Sequence, residues 1–170
     1  MQDNKDVCST TQNMEKEELN TRLDASSRVN SEEVFLRVYD LSKGMAKILS
    51  LQILGFQVDG VWHTSIEAYG NEYFFHGGLV VQKAGTTMFN PCIERVSLGS
   101  TSCSQDVLED FFRSCESNWN ENTYDFFDNN CNNFTNWLAN FLVGKDIPSY
   151  ILDLPKKVKG CENFRRFFDI

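Results

Sequence analysis

Two side chains in this sequence have the types and the setting to do chemistry together. Cys131 lies in Asp128-Asn129-Asn130-Cys131-Asn132-Asn133-Phe134, where a turn-forming polar cluster gives way to an apolar segment of helical period. The first N–H groups of a helix lack intrahelical partners and the helix dipole is positive there, so a thiolate at that place is stabilised and becomes a nucleophile. The chain holds two histidines, His63 and His76. His63 falls in Gly60-Val61-Trp62-His63-Thr64-Ser65-Ile66, which reads as a strand entered from a glycine turn. An imidazole facing such a thiol takes its proton and returns it to a leaving amine.

Each residue also has a plainer reading. A free cysteine is most often an inert buried side chain, and a strand histidine beside a tryptophan is most often packed. The four Asn and one Asp between Asp128 and Asn133 favour the reactive reading, because they supply helix caps and amide donors that a structural cysteine does not need. The oxyanion of an acyl-transfer step needs donors, for which the Cys131 backbone N–H and a neighbouring amide, Asn130 or Asn132, are in place. His76 lies on the proposed hairpin partner strand, placed to orient His63 or to bind substrate. Glu67 shares a face with His63 but is two pleats away, roughly 13 Å, which leaves the His-orienting residue unassigned.

The elements that position this pair are legible around it. Val34 to Tyr39 is a dense β-branched and aromatic run ended by Asp40, and Met45 to Leu54 is a short helix closed by Gly55. Val61 to Ala68 forms the histidine strand, and Gly70-Asn71 turns it into a hairpin with Glu72 to Phe75. Extended structure returns at Leu79 to Gln82 and Ile93 to Leu98. From Ser104 the period changes: Leu108, Phe111, Phe112, Cys115 and Trp119 share one helical face, with Cys115 a small buried apolar residue. A second helix follows Asn130, with Phe134, Leu138, Phe141 and Leu142 on one stripe, and stops at Gly144 before Pro148. Val158 to Ile170 puts Cys161, Phe164 and Phe168 on one face with Arg165 and Arg166 opposite.

At 170 residues the chain suits one domain, and 41% hydrophobic residues with 14 Phe provide its core. Residues 1–31 are polar, without sustained period, and are expected to be a disordered tail. A net charge of −8 argues against a nucleic-acid partner, whose phosphates call for clustered Lys and Arg. No apolar run reaches the length of a membrane span, and the start lacks the pattern of a signal peptide, so a cytoplasmic location extending to the nucleus is expected. The six cysteines show no close pairing, which argues against both a metal site and a disulfide framework.

Several motifs in one order resemble the PPPDE peptidases, a family with a circularly permuted papain fold, and most of all its desumoylating isopeptidases of the first type. They are Val38-Tyr39-Asp40-Leu41-Ser42-Lys43-Gly44, the His63 motif, Glu72-Tyr73-Phe74-Phe75-His76-Gly77-Gly78, Asn130-Cys131-Asn132-Asn133-Phe134-Thr135-Asn136 and Ile147-Pro148-Ser149-Tyr150-Ile151-Leu152-Asp153-Leu154-Pro155. The resemblance implies an α+β domain over residues 32–155, a small antiparallel sheet packed against helices, followed by an amphipathic helix or tail over 156–170. It implies Cys131 as nucleophile and His63 as general base and acid, cutting the isopeptide bond between a SUMO-like or ubiquitin-like modifier and a lysine, with Trp62 shaping the groove. It implies no metal or organic cofactor, and a homodimer. Two other uses are open: the same dyad hydrolysing a protein thioester, as in removal of an acyl chain from cysteine, or a fold retained as a non-catalytic adaptor for ubiquitin-like proteins.

Overall fold

The computed structural model describes residues 31–164. The tail expected over 1–31 lies almost entirely outside them, as do Arg165, Arg166 and Phe168. A five-stranded antiparallel sheet is built from β1 (Glu32–Asp40), β2 (Trp62–Ala68), β3 (Asn71–Phe75), β4 (Leu79–Lys83) and β5 (Glu94–Thr101) in the order β4-β3-β2-β1-β5. The helices are α1 (Met45–Leu54), α2 (Gln105–Ser114), α3 (Cys131–Val143) and α4 (Ser149–Lys159). This is the α+β arrangement expected. None of the described helices is long and apolar enough to cross a membrane.

Period-2 alternation sorts the sheet into two faces. Val34, Leu36 and Val38 of β1, Ile66 and Ala68 of β2 and Tyr73 and Phe75 of β3 form the core with Phe134, Leu138, Ala139 and Leu142 of α3. The opposite face, with Tyr39, His63 and Phe74 beside Arg37, Ser65, Glu67 and Glu72, mixes aromatic and polar side chains and is also covered. There Glu72 is fully buried, its carboxylate accepting from Tyr39 Oη and Ser65 Oγ, both at 2.6 Å, and from Gly85 N at 2.8 Å. Arg37 bridges Glu72 and Glu67, and Arg95 adds a second cation to Glu67.

Asp40 ties the end of β1 to the start of β2. Its carboxylate accepts from Ser42 N, Gly44 N and Val61 N, which carries the chain through the left-handed residues Lys43 and Gly44 into α1. Burial opposes ionisation of Asp40, but these hydrogen bonds hold its carboxyl below the usual range.

Some expectations shift. The β2–β3 turn is centred on Tyr69 and Gly70, both at positive φ, with Asn71 already paired to Ala68. That is the twist-matched form of a two-residue hairpin, and it moves the turn one residue earlier than Gly70-Asn71. Helix α2 stops at Ser114; Trp119 reaches the core by further turns and meets Phe75 and Phe134 edge-on. Phe141 is 40% exposed, stacked 3.6 Å from Phe111 at the rim and not in the core stripe. Helix α4 runs through Pro155 and Lys156, where the sequence placed the end of the domain. Beyond it Cys161 Sγ lies 3.1 Å from Leu54 O, and the Phe164 ring meets Phe127 edge-on.

Candidate active site

Asn130 starts α3. Its Oδ1 accepts from Asn132 N at 2.8 Å and Asn133 N at 3.2 Å, while Asn133 Oδ1 accepts from Asn130 N at 3.0 Å, a reciprocal cap that makes Cys131 the first helical residue. The Asn130 Nδ2 donates to Phe126 O at 2.9 Å, so both ends of this amide are committed to building the helix start. The structure thus places Asn130, expected from the sequence beside the sulfur, as the cap of the cysteine helix.

The β2–β3 ladder stops at Ile66–Tyr73, and the first turn of α3 takes over as partner of the freed β2 backbone. Asn132 Nδ2 donates to Trp62 O at 2.9 Å and its Oδ1 accepts from Thr64 Oγ1 at 2.9 Å. Thr135 Oγ1 lies 3.0 Å from both Thr64 O and Cys131 O. The three anchoring groups flank His63, and thereby seat the histidine strand on the cysteine helix. Asn132 is held in this clamp by both ends of its amide, with one of its two Nδ2 hydrogens given to Trp62 O. Thr64 and Thr135 were not singled out from the sequence; the signal was polar residues at positions 131, 132 and 135, on the side of α3 that packs inward.

Cys131 is 8% exposed and its Sγ lies 3.7 Å from Asn132 Oδ1. Burial pushes the thiol up to about 11, against backbone hydrogen bonds at Thr64, Asn132 and Cys131 that favour the thiolate. The helix start expected to lower the thiol pKa is outweighed by loss of water. The sulfur is not sealed off, because Cys131 lines a cavity of about 330 Å³ between α1, α4 and the end of β2. Its walls include Met45, Leu49, Trp62, Tyr124 and Leu154, which makes it strongly apolar and puts Trp62 and Cys131 on one cavity. Trp62 is held by an edge-on contact with Tyr150 and by close packing over Gly60, where a Cβ would meet its ring at 2.3 Å.

His63 is 2% exposed among aromatic rings: Phe89 at 3.9 Å between centroids, Phe74 at 5.6 Å and Tyr39 at 6.1 Å. Burial lowers its pKa to about 3, and the charge of His76 adds to the fall. Its Nε2 is buried with no hydrogen-bond partner. His63 is thus a neutral imidazole and Cys131 a protonated thiol, and the clamp joins the backbone beside the first to the helix turn that begins at the second, with no hydrogen bond between the two side chains. His76 is exposed, its N–H donates to Gly78 O, and its ring meets Phe89 edge-on at 5.4 Å.

Residues 32–170 match the "PPPDE putative peptidase domain". The chain is 44% identical to human desumoylating isopeptidase 1 over 127 residues, covering 74% of this chain and 76% of that one. It is 41% identical to desumoylating isopeptidase 1 of Xenopus laevis over 127 residues, 74% and 75% of the two chains. The DeSI-like protein sdu1 of Schizosaccharomyces pombe is 30% identical over 128 residues, 70% and 62% of the two. The match takes in β1 through α4, with the cysteine helix and the histidine strand it is clamped to: the chain belongs to the PPPDE peptidase family.

Proposed function

We propose that this chain is a cysteine isopeptidase that removes SUMO-like modifiers from substrate lysines, with Cys131 as nucleophile and His63 as general base and acid. The observation that carries the proposal is the Asn132 and Thr135 clamp, which holds the backbone on both sides of His63 against the helix turn that begins at Cys131. The relatives named as desumoylating isopeptidases support the substrate class. A histidine strand that precedes the cysteine helix is the chain order of a circularly permuted papain fold.

In the reaction, the His63 ring accepts the thiol proton as the sulfur attacks the isopeptide carbonyl. The tetrahedral oxyanion is met by the Cys131 backbone N–H, which as the first helical N–H has no intrahelical partner. Collapse breaks the C–N bond, the lysine amine leaves with the proton from the imidazolium, and a thioester joins the modifier's C-terminus to Cys131. Water, deprotonated by His63, hydrolyses that thioester and returns the thiol. Starting from two neutral groups couples proton transfer to attack, so the sulfur becomes nucleophilic only with a carbonyl in place.

Incubation with a SUMO-like modifier carrying a C-terminal electrophile labels Cys131 in the wild type and not in Cys131→Ser or His63→Gln. Absence of labelling with SUMO-like and ubiquitin-like probes alike overturns the proposal. A homodimer present in cytoplasm and nucleus accompanies this reading, and sedimentation of the purified chain tests the first part.

The apolar cavity favours a second reading with the same dyad, hydrolysis of a protein S-acyl thioester whose chain occupies the space beside Cys131. Turnover of long-chain acyl thioesters without cleavage of any isopeptide would select it.

A further inference from the structure

The loop between β4 and β5 folds back across His63, although no motif marks it. Its anchors are Gly85 N to Glu72 Oε1 at 2.8 Å, Asn90 Nδ2 to Gly85 O at 2.8 Å and Ile93 N to Val38 O at 2.9 Å. Between them Met88 is 79% exposed, whereas the adjacent Phe89 turns inward. The Phe89 ring lies 3.9 Å from the His63 ring at an interplanar angle of 36°, and meets Phe74 at 5.5 Å, Tyr39 at 5.9 Å and His76 at 5.4 Å. Among the described residues it is the side chain that meets each ring around the imidazole.

We propose that Phe89 is a positioning residue for His63: it covers one face of the imidazole, excludes water from it and fixes its plane, so that Nε2 stays unpaired and free to take a proton. The atom is buried without a hydrogen-bond partner, as an imidazole walled in by aromatic rings would leave it. The proposal rests on the reading of His63 as the base. The titratable and charged groups around the ring are few. From β1 come Tyr39, whose hydroxyl is given to Glu72, and Arg37, which is given to Glu67 and Glu72. From β3 come Glu72 itself, already fully partnered, and His76 just past the strand end. None of these gives His63 Nε2 a hydrogen bond, so the ring's protonation is governed by its cover.

The test follows the His63 imidazole by NMR between pH 3 and 8 in the full chain, in a His76→Gln background so that a single imidazole is seen. In the presence of Phe89 the ring stays neutral down to about pH 4; in Phe89→Ala its midpoint rises by about one unit or more toward 6.5, and in Phe89→Leu by about half a unit. The acid limb of the pH–rate profile for modifier cleavage moves by the same amount in the histidine-retaining variants. A His63 midpoint in folded Phe89→Ala equal to that of the parent overturns the proposal. If Phe89→Ala does not fold, Phe89→Leu decides in the same way, a rise sustaining the proposal and none overturning it. Should no substrate be cleaved by the parent, the proposed function fails, and the NMR midpoints still decide whether Phe89 controls the ring.

Discussion

Asn132 holds Thr64 by a hydroxyl-to-amide hydrogen bond of 2.9 Å, and the other end of the same amide holds the Trp62 carbonyl at 2.9 Å. One side chain on the cysteine helix therefore fixes the residues before and after His63. Asn132→Ala leaves a buried hydroxyl and a carbonyl without partners, at a cost of about 1–3 kcal/mol each. It also loosens the approach of base to nucleophile, for which we expect a fall in probe-labelling rate of at least about 10-fold. Urea unfolding and labelling kinetics check the two parts; an unaltered labelling rate in a destabilised variant would show that Asn132 serves folding alone.

Acid should unfold the protein partly through His63. The ring titrates near 6.5 when unfolded and at about 3 when folded, so between those values the unfolded chain binds a proton that the folded chain does not. Stability contributed by the neutral ring is full above 6.5 and declines as pH falls, by up to about 1.4 kcal/mol per pH unit. Glu67, held down to about 2 chiefly by its hydrogen bond from Arg95, adds a loss that begins only below its ordinary value of 4.5. Urea midpoints between pH 4.5 and 6.5 isolate the histidine contribution. They should slope with pH in the wild type and flatten in His63→Gln.

The resting thiol should be sluggish toward small electrophiles. At about 11, against 9 for an ordinary cysteine, the thiolate fraction of Cys131 at neutral pH is lower by about two decades. Iodoacetamide alkylation at pH 7.5, followed by mass spectrometry, should modify Cys131 roughly 100-fold more slowly than a small free thiol, while the modifier-derived probe reacts readily. Fast alkylation of Cys131 by iodoacetamide contradicts the protonated resting state.

Filling the cavity separates the two reactions. Leu154 lines the same space as Cys131, and Leu154→Trp occupies the volume an acyl chain would need. Long-chain thioester hydrolysis should drop by about 10-fold or more while acetyl thioesters and isopeptides change by less than about 2-fold. Equal loss on all substrates would mean that the cavity wall serves the dyad itself.

Much of the frame was legible because its signals are local. The β-branched run at Val34 to Tyr39, the Gly55 and Gly144 helix stops and the Asn130 cap each follow from one or a few neighbouring residues. What escaped depends on partners far along the chain. Helix α4 passes over Pro155, which tertiary packing of Ile151 and Leu154 tolerates although local rules forbid it. Glu72 reads as a surface strand residue until Tyr39, Ser65, Gly85 and Arg37 meet around it. Phe89 lies in a loop with no period, and its contact with His63 spans 26 positions. The asparagines around Cys131 were visible as a cluster suited to capping, but that Asn132 would clamp Trp62 and Thr64 could not be read without the β2 backbone opposite it.

The groups that seat the cysteine helix are Asn130, Asn132, Asn133, Thr64 and Thr135, all amides and hydroxyls. None of these changes charge across the whole range in which proteins function, so the cradle is electrically silent. Acid therefore does not titrate this joint itself, and the loss of stability expected at low pH enters through His63 and Glu67, outside the amides and hydroxyls of the cradle.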